Sequence, residues 1–226
     1  MSRRSAVCDP FGDYPTPGWC VDRLYDRLVV GGRLGTTGRW LEPCAGAGGI
    51  PRRFDQLNNL VWHGKGVLPC PRWAVWEVQH KYRAELSRWY GHIGAAVGIG
   101  DALSFAVNGA PGALDTGRFD VVLTNPPYHL AFELLKAMRK IADQTIFLLR
   151  TNFLASEERH PYWASGGLPR EILQLPNRPK FVRGRSDSTE YSWFRWGPEG
   201  ERVERSTIEI LDLTSLEDRQ KWEAGK

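Results

Sequence analysis

Two periods of apolar and polar residues run through the 226-residue chain, and they alternate. Trp19, Val21, Leu24, Leu28 and Val29 recur at helical spacing, which predicts an amphipathic helix over 18–30 behind an extended, Pro- and Gly-rich arm at 1–17. A short strand at 38–43 runs into the glycine-rich Ala45-Gly46-Ala47-Gly48-Gly49, with a helix expected over 50–57. Residues 58–71, with His63, Gly64, Gly66, Pro69 and Pro71, read as a loop. Trp73-Ala74-Val75-Trp76-Glu77-Val78 predicts a strand and the next residues a helix to Trp89. Further apolar runs follow at 95–99, 119–124 and 145–149, and a helical pattern at 129–142. Pro161, Gly166, Gly167, Pro169, Pro176 and Pro179 make 152–190 mostly irregular. The last strands are expected at 191–196 and 207–213, before a charged tail.

Strands that alternate with helices imply an α/β fold, a mainly parallel sheet with helices on both faces. The length suits a single domain spanning 1–226, and there is no internal repeat. Hydrophobic content of 42% and charged content of 25% are those of an ordinary globular protein. No stretch approaches the roughly 20 apolar residues of a membrane helix. The basic N-terminus leads into Cys8-Asp9-Pro10 and not into an apolar signal core, so a cytoplasmic location is expected. Cysteines at 8, 20, 44 and 70 form no Cys-x-x-Cys pair, which predicts free thiols and no metal site. The net charge of +4 says little about partners, but Arg170, Arg178, Lys180, Arg183, Arg185 and Arg195 gather in one stretch. That stretch is either a solvated basic face or a phosphate-binding one. The ten tryptophans are likewise open to two readings, core packing or stacking on bases.

The strongest chemical signal is Asn125-Pro126-Pro127-Tyr128, directly after a strand. Ligands of open parallel sheets bind at the carboxyl ends of the strands. The two prolines hold the turn rigid, so Asn125 and the adjacent carbonyls aim at a fixed point. An amide oxygen and a backbone carbonyl together accept both hydrogens of an amino group, which leaves the nitrogen lone pair free to attack. Tyr128 offers a face on which a planar ring can stack.

This segment resembles the hallmark of the amino-methyltransferase family, an Asn/Asp-Pro-Pro-aromatic string after the fourth strand, and the resemblance covers about residues 13–197. It implies a Rossmann-like class I methyltransferase fold with a seven-stranded sheet, S-adenosylmethionine as cofactor, and Asn125, Pro126, Pro127 and Tyr128 as the catalytic segment. Leu41 to Gly49 is similar to the family's cofactor loop, which assigns Glu42, Pro43, Cys44, Ala45 and Gly46 to cofactor binding. Glu77, with Val78, takes the position whose carboxylate accepts the ribose hydroxyls. Gly100-Asp101-Ala102-Leu103 looks like the segment whose Asp holds the cofactor's adenine; the competing reading is a helix cap. Tyr14-Pro15-Thr16-Pro17 resembles an arm that closes over the cofactor in DNA adenine methyltransferases, which brings in Tyr14, Thr16 and Pro17; Asn125 is assigned to cofactor binding as well as to the catalytic segment. A glycine loop of the form Gly-Ala-Gly-Gly does not fit a dinucleotide-binding enzyme.

Family members act on adenine N6, cytosine N4 or glutamine nitrogen. The N-terminal arm and the 175–194 region, which resembles that of small phage-type adenine methyltransferases, favour adenine in DNA, flipped out of the duplex. Arg178, Lys180, Phe181, Arg185 and Tyr191 join Tyr128 as candidate substrate residues, with Phe181 packing on the base. RNA adenine, a protein glutamine and a catalytically silent binding subunit are the alternatives. The chain has no room for a long target-recognition region. Recognition therefore falls to the 58–71 and 152–190 segments, to a second copy, or to a specificity-giving partner subunit, as in restriction-modification systems.

Overall fold

The computed structural model describes residues 14–61, 69–91, 96–108, 117–181 and 188–224; the arm before Tyr14, the middle of the 58–71 insertion, Arg183 and Arg185 lie outside them. Eight strands form one sheet: β1 (Arg39–Glu42), β2 (Arg72–Glu77), β3 (Ala96–Ile99), β4 (Phe119–Thr124), β5 (Ala142–Arg150), β6 (Glu171–Gln174), β7 (Tyr191–Trp196) and β8 (Thr207–Ile210). Their order is β3-β2-β1-β4-β5-β7-β6-β8. The first five run parallel, β7 lies antiparallel between β5 and β6, and β8 pairs parallel with β6 at the edge. The sheet thus has one strand more than the seven expected.

Side chains alternate along the strands and build two cores, one on each face. Trp40, Trp73, Val75, Val121, Leu123, Ile146, Leu148 and Trp193 face α1 (Gly18–Tyr25), α2 (Gly49–Val61) and α3 (Arg83–Tyr90). Leu41, Ala74, Trp76, Val122, Phe147, Leu149, Phe194 and Trp196 face α4 (Ala102–Asn108), α5 (Ala131–Ile141) and α6 (His160–Ala164). A last helix, α7 (Leu216–Ala224), packs near α1. Trp19, Trp40, Trp73, Trp76, Trp163, Trp193 and Trp196 are all buried, so the richness in tryptophan is chiefly core packing.

Three expectations are corrected. The helix after the glycine turn runs to Val61 and not to 57, because Asn58 is buried and accepts the Tyr25 hydroxyl at 2.6 Å. The 152–190 stretch is more regular than its prolines suggest: it holds a 3-10 turn at Thr151–Leu154, α6 and β6. Pro161 sits in the first turn of α6, where its missing N–H costs nothing, and β6 is only four residues long between Pro169 and Pro176. The final strand ends at Ile210 rather than 213.

α5 carries a buried arginine. Arg139 donates to the carbonyls of Gly197 (3.0 Å), Pro198 (2.9 Å) and Glu201 (3.2 Å) and to the Tyr162 hydroxyl (2.6 Å), tying the turn after β7 to the helix. Arg139→Met leaves these acceptors without a donor and should lower unfolding free energy by about 1–3 kcal/mol. Urea denaturation with an unchanged m-value is the check.

Candidate functional site

The chain leaves β1 toward β2 and β3 on one side, and leaves β4 toward β5 on the other. Between β1 and β4 the connections diverge, and the carboxyl ends of these two neighbours open a crevice. The Thr124 hydroxyl at the end of β4 donates to Oε1 of Glu42 at the end of β1, at 3.3 Å. The turn that follows β1 needs left-handed backbone at Gly46 (φ +51°) and Gly48 (φ +78°). A Cβ on Gly48 would lie 2.8 Å from the Tyr90 ring, and the Tyr90 hydroxyl donates to the Gly48 carbonyl at 3.0 Å. β2 secures the same turn from beside it: the Gly46 N–H donates to Oε2 of Glu77 at 2.7 Å, and the Gln79 N–H to Oε1 at 2.8 Å.

A cavity of about 790 Å³ occupies the crevice, within the roughly 300–1,000 Å³ usual for small-molecule sites. Of the sequence-predicted residues, Tyr14, Thr16, Glu42, Pro43, Cys44, Ala45, Gly46, Glu77, Val78, Asp101, Ala102, Asn125 and Pro127 line it. Pro17 and Pro126 are buried and, with Tyr128, are not among the lining residues. Sequence reasoning missed Arg52, Arg53 and Gln56 of α2, Tyr82, Trp89, His129 and Lys221, which also line the cavity. The only sequence signal for the α2 group is that its members fall within about one helical turn, just after the glycine loop.

The wall is rich in acceptors. Glu42 is 2% exposed, and its Oε2 has no hydrogen-bond partner in the protein. Burial pushes its carboxyl well above the usual range; the Thr124 hydrogen bond opposes the rise and nearby Glu77 adds to it. Burial, with Glu42 and Glu77 close by, likewise pushes the Cys44 thiol up, so it stays neutral. Both oxygens of Glu77 already accept backbone N–H groups, yet a carboxylate has about four acceptor positions and keeps some for a ligand. Asp101 caps α4: its carboxylate accepts the N–H groups of Leu103 and Ser104, each at 3.2 Å, and the Ser104 hydroxyl at 3.0 Å. The capping reading is therefore met, at a residue that also faces the cavity. Such a wall suits a ligand that carries hydroxyl and amino donors.

At the β4 end, Asn125 Nδ2 donates to the Tyr14 carbonyl at 3.2 Å, and the Tyr128 hydroxyl donates to Asn125 Oδ1 at 3.2 Å. The Tyr128 ring meets Tyr191 with centroids 5.8 Å apart, and the Arg150 guanidinium lies 5.4 Å above it. The substrate residues expected further along the chain do not join the cavity wall. Phe181 (7% exposed) and Tyr191 (1%) are core side chains packed edge-on, centroids 5.0 Å apart. Arg178 is exposed and paired with Glu190, Lys180 is half-buried, and Arg185 lies outside the described residues. Arg170 pairs with Glu201 and Arg195 with Glu171, so these members of the basic stretch serve the fold. Among the described residues there is no His/Cys/Asp/Glu cluster fit for a metal, and no helix long and apolar enough to cross a membrane.

No family model matches the sequence, and no curated protein does. Solved structures do match. Two carry putative assignments. One is an RNA methyltransferase from Pyrococcus horikoshii, with 18% identity, a TM-score of 0.58, and coverage of 86% of this chain and 87% of that one. The other is a class I S-adenosylmethionine-dependent methyltransferase from Listeria monocytogenes, with 13% identity, a TM-score of 0.56, and coverage of 91% and 70%. A third is the M protein of the type I restriction enzyme EcoKI, with 15% identity, a TM-score of 0.57, and coverage of 87% and 47%. The chain spans about half the length of that M protein. At these identities the likeness establishes the fold, a Rossmann-like class I methyltransferase sheet with an added edge strand.

Two measurements test this geometry. Gly48→Ala should cost about 1–2 kcal/mol for the left-handed backbone and more for the contact with Tyr90, whereas Gly46→Ala, with open space around it, should cost only the backbone part. Thermal melts of the two variants should rank in that order. Glu42 holds its proton more tightly folded than unfolded, so its contribution is fully present below about pH 4.5 and is lost as pH rises toward its raised folded value. Glu42→Gln should flatten the fall in stability of the free protein above pH 4.5, read as Tm against pH.

Proposed function

We propose that the protein transfers a methyl group from S-adenosylmethionine to an exocyclic amino group, and that its substrate is the N6 amino group of adenine in DNA. One observation carries the reading: Asn125-Pro126-Pro127-Tyr128 stands at the carboxyl end of β4, with Asn125 in the wall of the cavity that the β1 glycine turn also lines. The residues present fit the cofactor. Gly46 has open space where a side chain would stand, Glu42 in the lining keeps a buried oxygen without a partner, and Glu77 and Asp101 add acceptors for hydroxyl and amino groups.

In this reading Glu77 takes the ribose hydroxyls, Asp101 the adenine amino group, and the segment from Tyr14 to Pro17 covers the methionine part. The bound cofactor supplies an electrophilic methyl group on a sulfonium. Asn125 Oδ1 and the neighbouring backbone carbonyl accept the two hydrogens of the target amino group and aim its lone pair along the line of transfer. Catalysis then comes from positioning and from preorganised acceptors. Cys44 is held neutral and serves as no nucleophile, and the amino proton leaves to water after transfer.

DNA is favoured by the arm at Tyr14–Pro17; the fold is shared with a restriction-enzyme M protein and equally with an RNA methyltransferase, so it does not separate the two substrates. The flipped base would stack on Tyr128, with specificity drawn from short loops, a second copy or a partner subunit. The protein should place tritium from labelled S-adenosylmethionine on unmethylated DNA, with N6-methyladenine as the modified nucleoside by mass spectrometry. Asn125→Ala should reduce transfer by at least about 100-fold, the scale of losing a preorganised transition-state contact, while cofactor still binds. Label in RNA or in protein would keep the chemistry and replace the substrate.

A further inference from the structure

At the target end of the site, both ends of the Asn125 amide already make hydrogen bonds within the protein itself. The Tyr14 carbonyl can only accept, so the Asn125 atom facing it at 3.2 Å must be the amide nitrogen. That fixes the orientation of the amide and turns Oδ1 to the other side, where the Tyr128 hydroxyl reaches it at 3.2 Å. Oδ1 is also the acceptor that a substrate amino group needs. Burial pushes the Tyr128 phenol up, and Tyr191, which shares a hydrogen bond with it, adds to the rise, so the hydroxyl keeps its proton at any working pH. The same side chain is covered: Arg150, at the exposed end of β5, holds its guanidinium 5.4 Å above the Tyr128 ring. Tyr191 meets that ring with an interplanar angle of 42° and is itself packed against Phe181.

We infer that Tyr128 is a gate on its own active site: in the free protein its hydroxyl takes one of the two acceptor positions of Asn125 Oδ1 and competes with the substrate's amino group for that oxygen. This rests on the amino-methyltransferase reading and adds a resting state to it. The Arg150 guanidinium stabilises the resting position from above the ring, and a base that stacks there must displace it. The gate gives the half-buried amide oxygen a donor while no substrate is bound. Its cost falls on substrate affinity, because the amino group meets an acceptor that the Tyr128 hydroxyl already shares.

Tyr128→Phe separates the two roles of the side chain, since it keeps the ring for stacking and removes only the hydroxyl. The expected result is a KM for DNA lower by about three- to tenfold, the scale of one net hydrogen bond, with a smaller change in kcat and unaltered cofactor affinity. A raised KM, or a fall in kcat/KM, would overturn the gate and make the hydroxyl a direct contributor to binding or transfer. A second readout does not depend on methyl transfer. In 15N spectra of the free protein, the Asn125 side-chain amide (identified by its loss in Asn125→Asp) should shift between wild type and Tyr128→Phe. Identical resonances would mean that no such bond exists. If wild-type protein methylates no amino substrate, the proposed function fails, and the amide resonances still decide whether Tyr128 holds Asn125.

Discussion

The reversal of strand order between β1 and β4 is the constraint on which the site depends. Parallel strands connected in opposite directions must part at their carboxyl ends, and here the parting lies between Glu42 and Thr124, joined by a 3.3 Å hydrogen bond. Everything that lines the cavity is placed relative to that bond. The glycine turn leaves β1 immediately after it, Asn125 follows it on β4, and Glu77 on β2 holds the turn from the side through the Gly46 N–H. The two hydrophobic cores fix the strand register, so the positions of these polar groups follow from apolar packing.

The acceptor-rich wall gives the crevice its chemical character. Glu42, Glu77 and Asp101 place three carboxyl groups around one cavity, and each already meets a need of the fold: a bond to Thr124, two backbone N–H groups, and the start of α4. A ligand with hydroxyl and amino groups would draw on the acceptor capacity that remains. The same economy holds at Asn125, whose amide bonds Tyr14 on one side and Tyr128 on the other and keeps one acceptor position on Oδ1.

Much of this was legible in the sequence because it rests on local signals. A strand that ends in Asn-Pro-Pro-Tyr, a strand that ends in a glycine turn, and acidic residues at the next two strand ends are visible one segment at a time. The fold class followed from the alternation of periods. What could not be read was pairing over distance. The basic stretch near the C-terminus looks like a phosphate-binding face until Arg170, Arg178 and Arg195 are seen with Glu201, Glu190 and Glu171. Phe181 and Tyr191 look like base-stacking candidates until they are found packed on each other. β6 was hidden because four residues between two prolines carry almost no periodic signal, and with it the β6–β8 pairing that adds the eighth strand. The contribution of Arg52, Arg53, Tyr82 and Trp89 to the cavity depends on how α2 and α3 pack, which no local pattern specifies.

The most direct test of the central claim is a crystal structure of the protein with S-adenosylmethionine and a short adenine-containing DNA. The cofactor should lie across the carboxyl ends of β1, β2 and β3, with its ribose on Glu77 and its sulfonium methyl facing an adenine N6 held by Asn125 Oδ1. A cofactor bound away from the glycine turn, or a base seated far from Asn125, would contradict it.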